Sequence, residues 1–350
     1  MRTDLDLPAE LTGLPPADAF LAARKTGFLD LPLPGAGRTA ERFAVLGALG
    51  RADPVLARLA EGHADAVAIL SELAGPEPGE APWGVWAAVP RSVTAVHDGG
   101  GWRLSGERPW CSGAGVCERA LVTAAGEDGV RLFAVDVRGP GVTPLDGTWP
   151  AVGMAASDSR TIRFDRTPAL PVGGPGDYTA RPGFWAGGAG VAACWHGAAV
   201  GVAQALLRAA GLGSPRAVTA DAETPGGGRE PRGAGAEPRA ADPHLMAHLG
   251  AVDAALGAAA ALLTEVAGLI DADFSAERLR RPVRRVRATV EAAATTTLDR
   301  VGRALGAKPL CQDAAHARRV ADLTVYLRQS HAERDLADLG ADVVETGAGW

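Results

Sequence analysis

Hydrophobic residues recur at helical spacing over Leu14 to Leu31, with Ala19, Phe20, Ala23 and Phe28 on the repeating face. The loop Pro32 to Thr39 follows, and Thr39 is placed to cap a helix running to Leu49. Asp53 caps the next helix, Pro54 to about Leu73, whose packed face carries Val55, Leu59, His63, Ala66, Val67 and Leu70. After Gly75-Pro76-Glu77-Pro78-Gly79 the period shortens. Val85–Ala88, Arg91–His97, Gly101–Leu104, Arg119–Ala124, Val130–Val137, Val142–Pro144 and Thr161–Asp165 read as short strands between turn residues. That spacing predicts a small β-barrel or sandwich.

Helical spacing then returns over Phe184 to Ala210, Asp242-Pro243 to Asp271, Ala276 to Leu305 and Asp313 to Leu339. Gly213 to Ala241 has no hydrophobic period and reads as a flexible loop. The fold class is therefore α+β. Residues 1–78 form a helical part, 79–172 a β-domain and 173–350 a four-helix bundle of up-and-down type.

Composition narrows the partners. The 350 residues carry a net charge of −6, which gives no reason to expect nucleic acid. Cys111, Cys117, Cys194 and Cys311 have neither CxxC nor zinc spacing, so they read as free thiols and no metal is expected. Met1 to Glu10 lacks an apolar signal segment. Gly183 to Ala210, interrupted by His196, Gln204 and Arg208, reads as a buried helix and not a membrane span. These features point to a cytoplasmic protein.

The chemistry concentrates in Gly101 to Gly115. Gly113-Ala114-Gly115 allows close backbone approach, and Trp110 beside Ser112 suits a planar ring with polar edges. Outside it, His196 in an apolar helix reads as a satisfied core histidine. The run Arg278, Arg280, Arg281, Arg284, Arg285, Arg287 reads mainly as a solvated, ion-paired face, with a phosphate contact as the alternative.

Trp110-Cys111-Ser112-Gly113 resembles the flavin-contacting motif of the acyl-CoA dehydrogenase superfamily, and the likeness runs from about Gly27 to Gly340. The segment Gly153 to Asp165 resembles that family's last β-domain motif. The resemblance implies N-terminal helices, a β-barrel and a C-terminal four-helix bundle. It also implies bound FAD, with Trp110 against the flavin ring and Ser112 and Gly113 at its edge. Arg303 and Gly306 stand where the family meets the FAD of a neighbouring subunit, implying a homodimer or homotetramer; Ala307 replaces the second glycine.

The leading reaction under this resemblance is α,β-desaturation of an acyl thioester, with electrons passed on to an acceptor. The family's base lies eight residues after an aspartate, here Asp322, and that position is Ser330; its other location falls near Val191. Neither is acidic, and a serine hydroxyl is too weak a base at neutral pH. Neighbouring His331 is then the candidate proton carrier; Glu333 reads as an ion-pairing residue, with Arg334 or a neighbouring helix as its partner. The same departure resembles flavin monooxygenases of the superfamily, which lack the Glu and use oxygen. A catalytically inert binding subunit is the third reading.

Overall fold

In the computed structural model, residues 5–211 and 242–347 are described. The predicted flexible loop, Gly213 to Ala241, lies outside them. Three helices open the chain: α1 (Pro16–Lys25), α2 (Thr39–Ala52) and α3 (Pro54–Glu72). Asp53 caps α3, accepting the N–H groups of Val55 at 2.8 Å and Leu56 at 3.1 Å. Thr39 does not cap α2; it is the first helical residue, and the carboxylate of Asp271 accepts its N–H at 2.9 Å and contacts its hydroxyl at 2.5 Å. A distant helix thus satisfies a free helix end that the local sequence was expected to satisfy.

The middle strands are β1 (Trp83–Trp86), β2 (Val93–His97), β3 (Trp102–Arg108), β4 (Arg119–Gly126), β5 (Gly129–Asp136), β6 (Val142–Leu145) and β7 (Thr161–Val172). Neighbours run β4-β2-β3-β7-β5, and β5 also pairs with β4, so the sheet closes on itself. β1 adds to β4 in parallel and β6 to β7 antiparallel. Gly106 is a bulge within β3 and not a turn after it. Its φ is 130°, and a Cβ there would lie 2.4 Å from the Ser92 carbonyl oxygen. Phe133, Phe164, Leu104 and Ile162 fill the barrel interior.

A short α4 (Asp177–Ala180) leads to the long helices α5 (Pro182–Ala209), α6 (Pro243–Ala272) and α7 (Ala276–Leu305), then α8 (Lys308–Gln312) and α9 (Ala314–Tyr326). α5 is the core helix, packed on α2 and α7. Its crossing with α2 is glycine-dependent: a Cβ on Gly197 would sit 1.9 Å from the Gly47 carbonyl oxygen. Asp242 caps α6 through the His244 N–H at 2.9 Å. α5 and α6 both have the length and apolarity to cross a membrane, but α5 is largely buried in the protein. α6 buries Val252, Ala259, Leu263 and Ile270 and leaves Met246 and Leu269 exposed.

The last predicted helix is two. α9 ends at Tyr326, a 3-10 turn covers Leu327–Gln329, Ser330 is extended, and α10 runs Glu333–Thr346. Side chains make the break. Ser330 Oγ accepts the Ala332 N–H at 3.2 Å and Asp335 accepts the His331 N–H at 3.0 Å, which replaces helical bonds with capping ones.

Candidate functional site

The loop after β3 is locked from below. Arg108, wholly buried, donates to the carbonyls of Val89 and Thr123. Trp86 Nε1 donates to the Ser112 carbonyl at 3.0 Å. Trp110 is held at φ 61°, a strained conformation for a non-glycine residue, and its side chain is 58% exposed. Gly113 has φ 75°, and a Cβ there would meet Cys117 Sγ at 2.8 Å and Leu59 Cδ2 at 3.2 Å. The motif glycine is therefore required by its own turn and by its contact with α3.

A second loop, residues 153–160, is laced to the first. Gly113 N–H donates to the Ser157 carbonyl at 2.7 Å, Ala114 N–H to the Asp158 carbonyl at 3.1 Å and Cys111 N–H to the Arg160 carbonyl at 3.0 Å. Ser112 Oγ lies 2.8 Å from Ser159 Oγ, which lies 2.8 Å from Ser157 Oγ, whose own hydroxyl reaches the Met154 carbonyl at 2.7 Å. Met154 and Asp158 also have positive φ, 56° and 44°. Three strained non-glycine residues thus bracket one hydroxyl chain.

The same loop is anchored to α9. Asp322, buried, accepts the Met154 N–H at 2.5 Å, and Gly153 packs so closely that a Cβ would lie 2.1 Å from the Ala321 carbonyl oxygen. Burial raises the Asp322 carboxyl above its ordinary range. One assembly therefore joins the Trp110–Gly113 loop, the 153–160 loop and the helix that leads to Ser330.

Behind it, between α3, α5, α7 and α9, the protein interior is charged. Arg58 pairs with buried Glu61 at 2.6 Å, and Arg181 pairs with Glu72 at 2.8 Å. Arg287 lies over the Trp195 ring at 4.8 Å, and Trp195 meets Tyr326 edge-on at 6.3 Å. Burial pushes the Glu61 carboxyl, the Cys194 thiol and the Tyr326 hydroxyl upward. Sequence reading passed over Arg58 and Glu61, because an acid and a base three residues apart look like a solvated helix pair until the helix is seen to be covered.

Ser330 and His331 are placed by the break after α9. Ser330 Oγ serves the backbone, as described above. The His331 imidazole is mostly exposed, and its Nδ1 lies 3.2 Å from Asp335 Oδ1. Among the described residues no contact joins His331 to Ser112 or Trp110. Glu333 forms no ion pair among them either and lies in the first turn of α10. Arg303 is turned to Asp299 at 2.8 Å, and Gly306, φ 63°, ends α7 with open space around it. The two share no contact with the serine chain among the described residues.

The arginine run is answered from α10. Asp342, buried, takes Arg284 at 2.6 Å and Arg280 at 3.0 Å; Arg280 also meets Glu345 at 2.7 Å. His196 is buried, its Nε2 3.1 Å from the Leu256 carbonyl, and burial lowers its pKa. No cluster of His, Cys, Asp or Glu among the described residues has the makings of a metal site.

Residues 78–167 match the acyl-CoA dehydrogenase middle domain. That segment is an acyl-CoA dehydrogenase middle domain, and the chain as a whole has the acyl-CoA dehydrogenase-like fold. Its whole fold is similar to that of dibenzothiophene monooxygenase TdsC from Paenibacillus sp. A11-2, solved with FMN and indole; identity is 19%, coverage 93% of this chain and 89% of that one, TM-score 0.74. Methanesulfinate monooxygenase MsuC from Pseudomonas fluorescens gives 20% identity, 96% and 92% coverage and a TM-score of 0.76. A steroid ACAD variant gives 19%, 94% and 89%, with a TM-score of 0.72. No curated protein sequence matches the chain. The acyl-CoA dehydrogenase-like middle barrel, flanked by helices before and after it, is the architecture that the motif resemblance implied.

The residues present suit a flavin. An exposed indole on a strained, tightly tied loop offers a flat face, and the hydroxyl of Ser112 stands beside it, already polarised by Ser159. Trp110, Ser112 and Gly113 would hold the ring.

Proposed function

We propose that this acyl-CoA dehydrogenase-like protein is a flavin-dependent monooxygenase acting on a small polar molecule. The observation that carries the reading is the residue at Ser330, whose hydroxyl is spent on the Ala332 N–H, with no carboxylate at the family's base position. Val191, near the other position, is equally inert. Removal of an α-proton from a thioester needs a base of suitable strength within reach, so desaturation lacks its proton acceptor.

The charged interior supports the same choice. The interior that holds the Arg58–Glu61 and Arg181–Glu72 pairs is a poor host for a long acyl chain, because apolar atoms placed there leave buried charges less well compensated. TdsC and MsuC, similar in fold, are monooxygenases by name.

A bound flavin supplies two-electron reduction and activation of dioxygen. The chain's own residues do the rest. Trp110 covers the ring, and the Ser159–Ser157 chain, which ends by donating to the Met154 carbonyl, draws the Ser112 proton toward Ser159 and leaves Ser112 Oγ as an acceptor for an N–H at the ring's edge. His331, oriented by Asp335, carries a proton at Nε2. FMN fits the reading better than the FAD implied by family resemblance, since Arg303 is engaged with Asp299 and Ala307 replaces a glycine of the adenylate-side turn. TdsC holds FMN. A second copy of the chain packed on the uncovered face of α6 completes the proposal as a homo-oligomer in the cytoplasm.

Acyl-thioester desaturation stays as the second reading on one observation, the His331–Asp335 pair next to the missing glutamate. Anaerobic titration with acyl-CoA separates the two: the flavin stays oxidised under the first and bleaches under the second.

A further inference from the structure

A separate cavity of about 470 Å³ opens between the end of α1, the 29–33 turn, the second half of α3 and the Gly75–Gly79 linker. It shares no lining residue with the Trp110 or 153–160 loops. Its volume falls in the range of small-molecule sites. Leu29, Leu31, Val67 and Leu70 make its apolar wall.

Its buried polar groups, Arg42 and His63, are donors. Arg42 lines the cavity and is only 4% exposed, yet its one hydrogen bond runs to the Pro32 carbonyl at 3.3 Å. Asp65 and Glu61 act on it through space, but no ion pair to Arg42 forms among the described residues, and burial lowers its pKa. A buried guanidinium without a bonded anion is costly. His63 is 5% exposed, and its Nδ1 accepts the Trp83 N–H at 3.3 Å, so its proton sits on Nε2 and makes it a donor. Arg24, paired with exposed Glu80, stands near His63 on the lining, as do the exposed acids Asp30 and Glu77.

We propose that this cavity binds a small organic carboxylate. The planar head is taken by the fork of Arg42 with His63 Nε2–H beside it, and the apolar body lies along Leu31, Val67 and Leu70. Asp30 and Glu77 disfavour a dianion, which selects a carboxylate over a phosphate. This inference is independent of the flavin reading.

Calorimetric titration of the purified full chain with benzoate tests it. Benzoate is expected to bind saturably, at least tenfold tighter than benzyl alcohol and tighter than inorganic phosphate. Arg42→Met is expected to abolish binding. Because Arg42 is buried, Val67→Trp provides the second variant: it fills the cavity from a half-buried position, keeps Arg42 and should weaken benzoate tenfold or more with an unchanged melting temperature. Ser112→Ala should bind benzoate like the parent. Equal binding of benzyl alcohol or phosphate, full binding by Val67→Trp, or loss of binding in Ser112→Ala each overturns the proposal.

Discussion

The hydroxyls of Ser112 and Ser159 stand 2.8 Å apart, on two loops separated in sequence by 47 residues. That contact makes the candidate cofactor serine a member of a chain, Ser112–Ser159–Ser157, ending on the Met154 carbonyl. Ser159→Ala should therefore weaken flavin binding without touching flavin. The expected loss is about 1 kcal/mol, or roughly fivefold in affinity. Ser112→Ala should lose more. Fluorescence titration of the apoprotein with FMN measures both.

The Asp322–Met154 bond clamps the 153–160 loop to α9. Asp322→Ala leaves a buried N–H without an acceptor and should cost about 1–3 kcal/mol of stability. Asp322→Asn keeps an acceptor and loses less. Because burial raises the folded-state pKa of Asp322, the parent's Asp322 term weakens as pH rises above the unfolded carboxyl value. The gap between parent and Asn variant should therefore narrow from pH 4 to pH 7 in urea denaturation.

His63 sets an acid limb. Burial lowers its pKa from 6.5 to about 4, and its Nδ1 must stay unprotonated to accept the Trp83 N–H. A depressed folded pKa contributes stability that is complete above the unfolded value and lost as pH falls toward the folded one. Between pH 8 and pH 5 the loss is about 2 kcal/mol from this group. His196, shifted the same way, adds to it. His63→Gln should flatten the decline measured by urea denaturation at the two pH values.

The α7–α10 ion pairs are structural in this account. Asp342→Ala removes the buried carboxylate shared by Arg280 and Arg284, leaving them Glu345 and Asp338, and should destabilise by about 1–2 kcal/mol. Flavin affinity should not change. A large loss of FMN binding with stability intact would instead make the arginine run a phosphate site.

His331→Ala should lower turnover about 100-fold while flavin stays bound, and Asp335→Ala should lower it less, with a shifted pH profile. Steady-state rates across pH check both. Unchanged turnover in His331→Ala removes the assignment.

Much of this was legible in the sequence. Trp102–Leu104, Arg119–Ala124 and Val130–Val137 alternate or run apolar between glycine turns, and all became barrel strands. Asp53 and Asp242 announced helix starts because a cap needs only local geometry. Thr39 misled because its real partner, Asp271, is 232 residues away. The break at Ser330 was hidden because Arg328 to Asp335 has helical composition, and only the side-chain capping by Ser330 and Asp335 ends the helix. At the site, Trp110-Cys111-Ser112-Gly113 stood out by residue type, whereas Ser159, Met154 and Glu61 gain meaning only from what folds against them.

The most direct measurement is the anaerobic visible spectrum of the purified, flavin-loaded protein during titration, first with acyl-CoA and then with an external reductant, before oxygen is admitted. A monooxygenase should release FMN as its cofactor, resist bleaching by acyl-CoA, be reduced by the external donor, and take up oxygen on mixing with air. Bleaching by acyl-CoA alone, or a protein that takes up no flavin, would contradict that reading.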